Sequence, residues 1–164
     1  MSLDHACLSI HQAARAVLAV YLEVEVRKVS IVPNHESRGC FETGEVFCGP
    51  GLGSDRANLE RQIQICLAGP IAASRFHTRH ARRQRDRRDF DMASGLARYL
   101  AGSAGEREFL RHQEVITHRL IVSLWDQIDR VAWALYERDE LTGADIRRIL
   151  EAPEGLLLTA ELPR

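Results

Sequence analysis

The segment His11-Gln12-Ala13-Ala14-Arg15 has the spacing of the zinc-binding helix motif H-E-x-x-H but differs from it at two positions. In H-E-x-x-H, two histidines four residues apart lie on one helix face and bind zinc, while the glutamate takes a proton from the metal-bound water. Here His11 is the first histidine, but Gln12 stands at the base and Arg15 at the second ligand. A neutral amide is no base, and a guanidinium is always protonated and binds no metal. The residues therefore predict a helix with the spacing of a zinc site, but without the second histidine ligand and the general base.

The helix that carries this segment is predicted over residues 4–22. Its apolar residues recur at intervals of three and four, a spacing that places His11 and Arg15 on one face. A strand is predicted next, over residues 24–32, because β-branched residues alternate with polar ones there. Residues 40–47 have turn residues on both sides and are the candidate hairpin partner of this strand.

The rest of the chain is predicted to be helical. A second helix begins near Asp55, and Gly69-Pro70 is expected to end or kink it, because proline removes a backbone donor and clashes with the preceding turn. Two more helices are predicted over residues 89–100 and 106–138, and a capping-box pattern at residues 142–145 opens a short last one. The fold class is therefore mainly α with a small β element (α+β).

Length and composition are those of an ordinary globular protein. The 164 residues are predicted to form one domain, 1–164, in which the tail 151–164 has no assigned element. A net charge of -1 selects neither nucleic acid nor a membrane as partner, and the longest apolar run, 16–22, is too short to cross a bilayer. Four cysteines without C-x-x-C spacing, and no secretory signal, indicate reduced thiols and a cytoplasmic location.

Four blocks of the sequence, taken in order, resemble those of one protein family. Residues 11–17 (HQAARAV) match a helix written H-E-A-G-H-A, and residues 27–33 (RKVSIVP) the strand that follows it. Residues 67–73 (LAGPIAA) are similar to a helix written L-A-G-R-x-A-E, and residues 140–146 (ELTGADI) to a closing E-x-L-x-G-x-E-I turn and helix. Together the blocks resemble the peptidase domain of the FtsH-type membrane-anchored AAA proteases. The resemblance implies that domain's helical bundle.

The resemblance also implies a ligand set. The family's third zinc ligand is an aspartate that opens a helix, and Asp89 fits that position. By the same correspondence His11 matches a ligand, Gln12 stands at the general base and Arg15 at the second histidine ligand. The guanidinium of Arg15 is expected to fill the emptied metal position and to pair bidentately with Asp89, because a buried lone carboxylate is costly.

The chain departs from the family in ways that bear on activity. Ala14 stands at the motif's glycine, Pro70 interrupts a helix that is continuous in the family, and neither an ATPase module nor a membrane anchor is recognisable. We therefore expect a stand-alone, catalytically impaired relative that binds a protein or peptide segment and needs no cofactor. An extended peptide is expected to add to the strand around Val29 and Ile31.

Two other functions stay open. In the first, the chain is a working zinc metallopeptidase whose ligand set is rebuilt from Cys7, four residues before His11, together with His11 and Asp89. In the second, the six arginines of residues 79–88 contact nucleic-acid phosphates. That segment lacks interleaved aromatic residues and is predicted to be a solvated loop, so nucleic acid is the less favoured partner. The sequence favours no oligomeric state.

Overall fold

The computed structural model describes residues 3–32, 40–43, 55–77 and 87–152. The helices and strands within these ranges are α1 (Leu3–Tyr21), β1 (Val26–Ser30), β2 (Cys40–Thr43), α2 (Arg56–Phe76), α3 (Arg87–Ser123), α4 (Trp125–Arg138), β3 (Glu140–Thr142) and α5 (Gly143–Glu151). The predicted fold class, mainly α with a small β element, is confirmed. Within the described ranges no helix has both the length and the apolar composition needed to cross a membrane.

The main hydrophobic core is built around α1. This helix packs against α2, α4 and β1, and most of its length is buried. Many of its buried side chains are single methyl groups, which allow neighbouring helices to approach closely. These alanines are Ala6, Ala13, Ala14, Ala16 and Ala19.

The three strands form one antiparallel sheet in the order β2-β1-β3. Val29 of β1 lies opposite Phe41 of β2 on one side and opposite Leu141 of β3 on the other. The predicted strand and its hairpin partner are confirmed for residues 40–43, whereas residues 44–47 lie outside the described ranges. The sequence did not predict β3, a three-residue strand with only its middle side chain buried.

The central position of β1 corrects the predicted peptide-binding site. A peptide can add to a strand only where that strand has an unpaired edge. Both edges of β1 are paired over Lys28, Val29 and Ser30, and the N–H of Ile31 donates to the carbonyl of Asp139 (2.9 Å). The side chains of Val29 and Ile31 are buried in the core. The prediction that a peptide adds to this strand is therefore wrong.

Helix α2 begins as predicted but runs past Pro70. The side chain of Asp55 accepts a hydrogen bond from the N–H of Asn58 (2.8 Å) and caps the first turn. Gly69-Pro70 was expected to end or kink the helix: an end there is wrong, because the helix continues to Phe76, and a kink stays a prediction. A residue before proline normally avoids the helical conformation because its Cβ clashes with the proline ring. Gly69 has no Cβ, so this clash is absent. Buried residues on both sides, such as Cys66 and Ala72, hold the two parts of the helix in one packed layer.

Helix α3 is broken at Gly102, which has φ 71° and ψ 168°. Only glycine adopts this backbone conformation readily. The predicted break between residues 100 and 106 is therefore confirmed, and we call residues 87–101 the first arm and residues 103–123 the second arm. The predicted single helix over 106–138 is wrong, since α3 ends at Ser123 and α4 begins at Trp125, with Leu124 (φ -99°, ψ 10°) between them.

Helix α2 lies between two hydrophobic clusters. Ile65, Ala68 and Ala72 belong to the main core with α1. A smaller cluster joins α2 to both arms of α3 and consists of Leu59, Ile63, Cys66, Leu67, Ala93, Leu96, Ala97 and Leu110. α2 thus separates α1 from the first arm of α3, so a side chain of α1 that contacts the first arm must pass over α2.

The last helix, α5, is fixed at both ends. The hydroxyl of Thr142 accepts a hydrogen bond from the N–H of Asp145 (3.2 Å), and the Asp145 carboxylate accepts one from the N–H of Thr142 (3.0 Å). This confirms the predicted capping box. At the other end Nη1 of Arg130 donates to the carbonyls of Ile149 (3.2 Å) and Ala152 (3.0 Å). The unassigned tail lies outside the described ranges from residue 153 onward.

Candidate functional site

Asp89 joins the two predicted site residues of α1. Its Oδ2 lies 2.9 Å from Nε2 of His11, and its Oδ1 lies 3.5 Å from Nη1 of Arg15. The three side chains are only 14%, 10% and 15% exposed for His11, Asp89 and Arg15. The structure therefore brings together three of the four residues predicted for the site. The expected bidentate pair is wrong in detail, because His11 takes one of the two carboxylate oxygens.

His11 reaches Asp89 by passing over Gly69 of α2. A Cβ atom at position 69 would lie 2.5 Å from Nε2 of His11 and within 2.7 Å of two ring carbons. Real Cβ atoms do not approach other atoms so closely, so the imidazole fills the space that a side chain would need. The missing side chain of Gly69 is what lets His11, on α1, contact the first arm of α3.

The hydrogen bond between His11 and Asp89 defines which nitrogen carries the proton. Burial raises the pKa of the Asp89 carboxyl, but the His11 hydrogen bond and the charge of Arg15 outweigh burial and hold it below its ordinary value. Asp89 is therefore a carboxylate with no proton to donate, and Nε2 of His11 must be the donor. A protonated ring nitrogen has no lone pair for a metal.

The donor set does not fit a zinc ion. A zinc site needs three or four donors, and here the position of the second histidine holds a permanent cation 3.5 Å from the one carboxylate. Among the described residues, no group of three histidine, cysteine, aspartate or glutamate side chains is arranged to hold a metal ion. The ligand set proposed from Cys7, His11 and Asp89 is therefore not assembled. Cys7 is buried, and burial followed by the charge of Asp4 raises the pKa of its thiol to about 11.

Cys66 also lies beside the site, and the sequence analysis did not identify it as a site residue. The charges of Arg15 and Asp89 both act on its thiol, which lies one helical turn before Gly69 and is fully buried. Burial raises the pKa of this thiol to about 12, Arg15 lowers it and Asp89 raises it. A thiol that stays protonated at neutral pH is a poor nucleophile. Cys66 thus adds packing to the site and no reactivity.

Gln12 stands at the position of the general base and is 5% exposed. Its Oε1 is buried and has no hydrogen-bond partner within the described part of the chain. An amide oxygen is not a proton acceptor of useful strength, so Gln12 cannot activate a water molecule.

Most of the arginine-rich segment, including Arg79 and Arg85, lies outside the described ranges. Its last two residues, Arg87 and Arg88, form the start of α3, so the prediction of a solvated loop is wrong for these two. The side chain of Arg88 is exposed. The segment's suggested contact with nucleic-acid phosphates stays a prediction.

Gly69 is the other residue that sequence reasoning missed. In the sequence it precedes Pro70, and this pair normally marks the end of a helix. The glycine itself was a usable signal. A glycine inside a helix destabilises it, so its presence can indicate that another group lies close against the backbone at that position. Here that group is the imidazole ring of His11.

The comparisons with known proteins assign no family to the chain. No protein-family model and no curated protein matches it. The candidate function therefore depends on the geometry of the site and on the resemblance of the four sequence blocks.

Proposed function

We propose that this chain is a non-catalytic relative of the FtsH-type peptidase domain that binds a protein or peptide segment. The observation that carries the proposal is the contact of Arg15 with Asp89, 3.5 Å apart in a largely buried site. A permanent cation stands at the position of a metal ligand and neutralises the carboxylate that would otherwise bind the metal. The fold therefore keeps the charge of its former site balanced without an ion.

The surrounding residues support the absence of catalysis. Peptide hydrolysis needs an activated water or a side-chain nucleophile together with a base. Gln12 is no base, and the buried thiol of Cys66 is protonated because its pKa is raised to about 12. The Nε2 atom of His11 is committed to Asp89 at 2.9 Å. No described side chain of the site supplies either the nucleophile or its activation.

The outer edge of β2 is the proposed place for the peptide. β2 and β3 are the outer strands of the described sheet. β3 has only three residues, and the N–H of Thr142 is already bonded to the Asp145 side chain. β2, at Cys40–Thr43, is the longer outer strand and also contacts α1. An extended segment that adds there gains backbone hydrogen bonds and lies beside the helix that carries His11.

Two measurements on the purified chain test the proposal. Metal analysis and a casein digestion assay are expected to give no stoichiometric zinc and no hydrolysis. A library of extended peptides is expected to contain binders that slow amide exchange at residues 40–43 and leave residues 140–142 unchanged. The matched control is the same peptide with alternate backbone nitrogens methylated, which removes the donors that strand pairing requires. One equivalent of zinc with chelator-sensitive proteolysis, or binders that never protect residues 40–43, would overturn it.

A further inference from the structure

An exposed stripe runs along the first arm of α3. Its residues are Met92, Gly95 and Tyr99, which are three and four positions apart and therefore lie on one face of the helix. Met92 is 46% exposed and Tyr99 is 56% exposed, although both side chains are large and mainly apolar. A Cβ atom added at Gly95 would meet nothing within 4 Å. The stripe thus consists of two large side chains with open space between them.

Gly95 differs from the other glycine discussed above, Gly69. A glycine inside a helix destabilises it relative to alanine, so each of the two lowers the stability of its helix. The space beside Gly69 is filled by the ring of His11, whereas no described group occupies the space beside Gly95. The distance between two packed helices depends on the size of the side chains at their contact. The exposed glycine therefore leaves room for a partner helix to approach closely.

Two opposite charges lie along one side of the stripe. Asp91 precedes Met92 and Arg98 precedes Tyr99, so the two charged residues are seven positions apart and share one flank of the helix. Both are exposed, the side chain of Arg98 by 61%. Arg98 donates to Glu106 through Nε (2.7 Å), and a guanidinium has further N–H donors on its terminal nitrogens. A flank with an acidic group towards one end and a basic group towards the other is complementary to a reversed copy of itself.

A second copy of the chain that runs antiparallel fits both features. A two-fold axis beside the middle of the first arm reverses the order of the residues, so Asp91 of each copy lies next to the partner's Arg98. The same axis brings Met92 of each copy opposite the partner's Gly95, where the methionine side chain fills the open space. A parallel pair would instead bring like charges to the same level. The charges therefore favour the antiparallel arrangement.

We propose that two copies of the chain form an antiparallel dimer through the first arms of α3. The stripe is the apolar centre of the interface, and two Asp91–Arg98 ion pairs flank it. A contact between two helices of about four turns is smaller than a standard protein interface, so the dimer is weak and concentration-dependent. Asp89 lies three residues before Met92, and the dimer therefore places the two candidate sites on neighbouring helices. The interface is separate from the outer edge of β2, so it stands or falls independently of the proposed function.

Exchange of the charges tests the antiparallel pairing. Sedimentation velocity on the full chain, over a range of concentrations, measures the dissociation constant of the dimer. Asp91→Arg and Arg98→Asp each replace two attractive pairs by two repulsive ones, so each alone is expected to weaken the dimer at least about tenfold. An equimolar mixture of the two variants restores opposite charges at both positions and is expected to dimerise within about threefold of the parent. A parent chain that is monomeric at every concentration, or a mixture no better than its components, overturns the proposal.

A second pair of variants tests the stripe without changing any charge. Met92→Ser removes the side chain that fills the space at Gly95 and is expected to weaken the dimer at least about fivefold. Phe90→Ser is the matched control, because Phe90 is 50% exposed on the same arm but lies roughly 200° around the helix from Met92. It is expected to leave the dissociation constant unchanged. Circular dichroism shows whether each variant is folded, and this pair decides the question if a charge variant is not. Equal effects of the two serine substitutions would show that any dimer uses another surface.

Discussion

Asp89 is the residue on which the candidate site depends. Each of its carboxylate oxygens has its own partner, His11 at 2.9 Å and Arg15 at 3.5 Å. The guanidinium of Arg15 carries a permanent positive charge that balances the charge of this carboxylate. The balance explains how a buried acidic residue, 7% exposed, persists although the described part of the chain holds no ligand set for a metal.

Removing either member of the Asp89–Arg15 pair is expected to be costly. Asp89→Ala leaves the Arg15 cation in a largely buried site, and the free energy of unfolding should fall by about 3 kcal/mol. Denaturant unfolding of Asp89→Ala, Arg15→Ala and the double variant measures this. The loss in the double variant should be smaller than the sum of the two single losses by at least about 1 kcal/mol. Asp91→Ala is the control, and additive losses would show that the two side chains do not interact.

The sequence predicted part of this site for a physical reason. The resemblance placed Arg15 and Asp89 in one site, and a permanent cation and a carboxylate in one buried site are expected to pair, because either charge alone would be costly. The division of the carboxylate between two partners does not follow from charge. It depends on where the His11 ring lies, and that position is set by Gly69, whose role as open space is visible only when α1 and α2 are packed together.

At the scale of the elements, the pair Gly69-Pro70 has two effects on α2. Pro70 lacks an N–H, so the carbonyl of Cys66 loses the hydrogen bond that position 70 would normally supply. Gly69 has no Cβ to meet the proline ring, and the helix therefore passes through both residues. The same missing Cβ opens the path of His11 across the helix.

Gly69→Ala is expected to destabilise the fold by about 1–3 kcal/mol, because the new methyl group overlaps the His11 ring. The cost should be at least about 1 kcal/mol smaller when His11→Ala has removed the ring. Gly95→Ala is the matched control, since a Cβ there meets nothing within 4 Å. That change should stabilise α3 by about 0.5–1 kcal/mol through helix propensity. Thermal or denaturant unfolding of Gly69→Ala, His11→Ala, the double variant and Gly95→Ala measures these changes in stability. A loss of stability from Gly69→Ala that is the same with and without His11 would contradict the overlap.

The elements were predicted best where local chemistry decides them. Asp55 and Thr142 cap their helices in the structure as their sequence context indicates. Local patterns failed where packing overrides them. A helix crosses Pro70 because both of its halves are buried, and Leu124 separates two helices although the apolar pattern continues through it. β3 is too short to show an alternating pattern and exists because β1 offers it an edge.

For the whole molecule, the arrangement of three packed helices predicts that a zinc site can be built with two substitutions. Gln12→Glu with Arg15→His rewrites H-E-x-x-H on α1, and Asp89 is available as the third ligand. Nε2 of His11 and Oδ2 of Asp89 are already 2.9 Å apart. Neighbouring donors in a tetrahedral zinc site are roughly 3.3 Å apart, given bonds of about 2.0–2.1 Å. Small movements of the side chains therefore suffice, and the hydrogen-bonded pair becomes a pair of ligands.

Zinc titration by calorimetry on this double variant, beside the parent chain, is the measurement. We expect binding tighter than micromolar in the double variant and none in the parent, together with a higher unfolding midpoint in the presence of zinc. Gln12→Glu alone keeps Arg15 and is the control that should not bind. If the double variant also fails to bind, residues 11, 15 and 89 do not converge on one point, and the resemblance to the FtsH-type site is wrong at its centre.

The close contact of His11 with Gly69 also restricts the order in which the chain can change over generations. A lineage that keeps the imidazole loses stability when position 69 gains a side chain, whichever amino acid a mutation supplies. Once the imidazole is lost, position 69 is released from this restriction, and any side chain gained there then blocks the return of a histidine at position 11. Loss of His11 is thus a step that later substitutions at position 69 make harder to reverse. Its presence indicates that the chain has not yet taken that step.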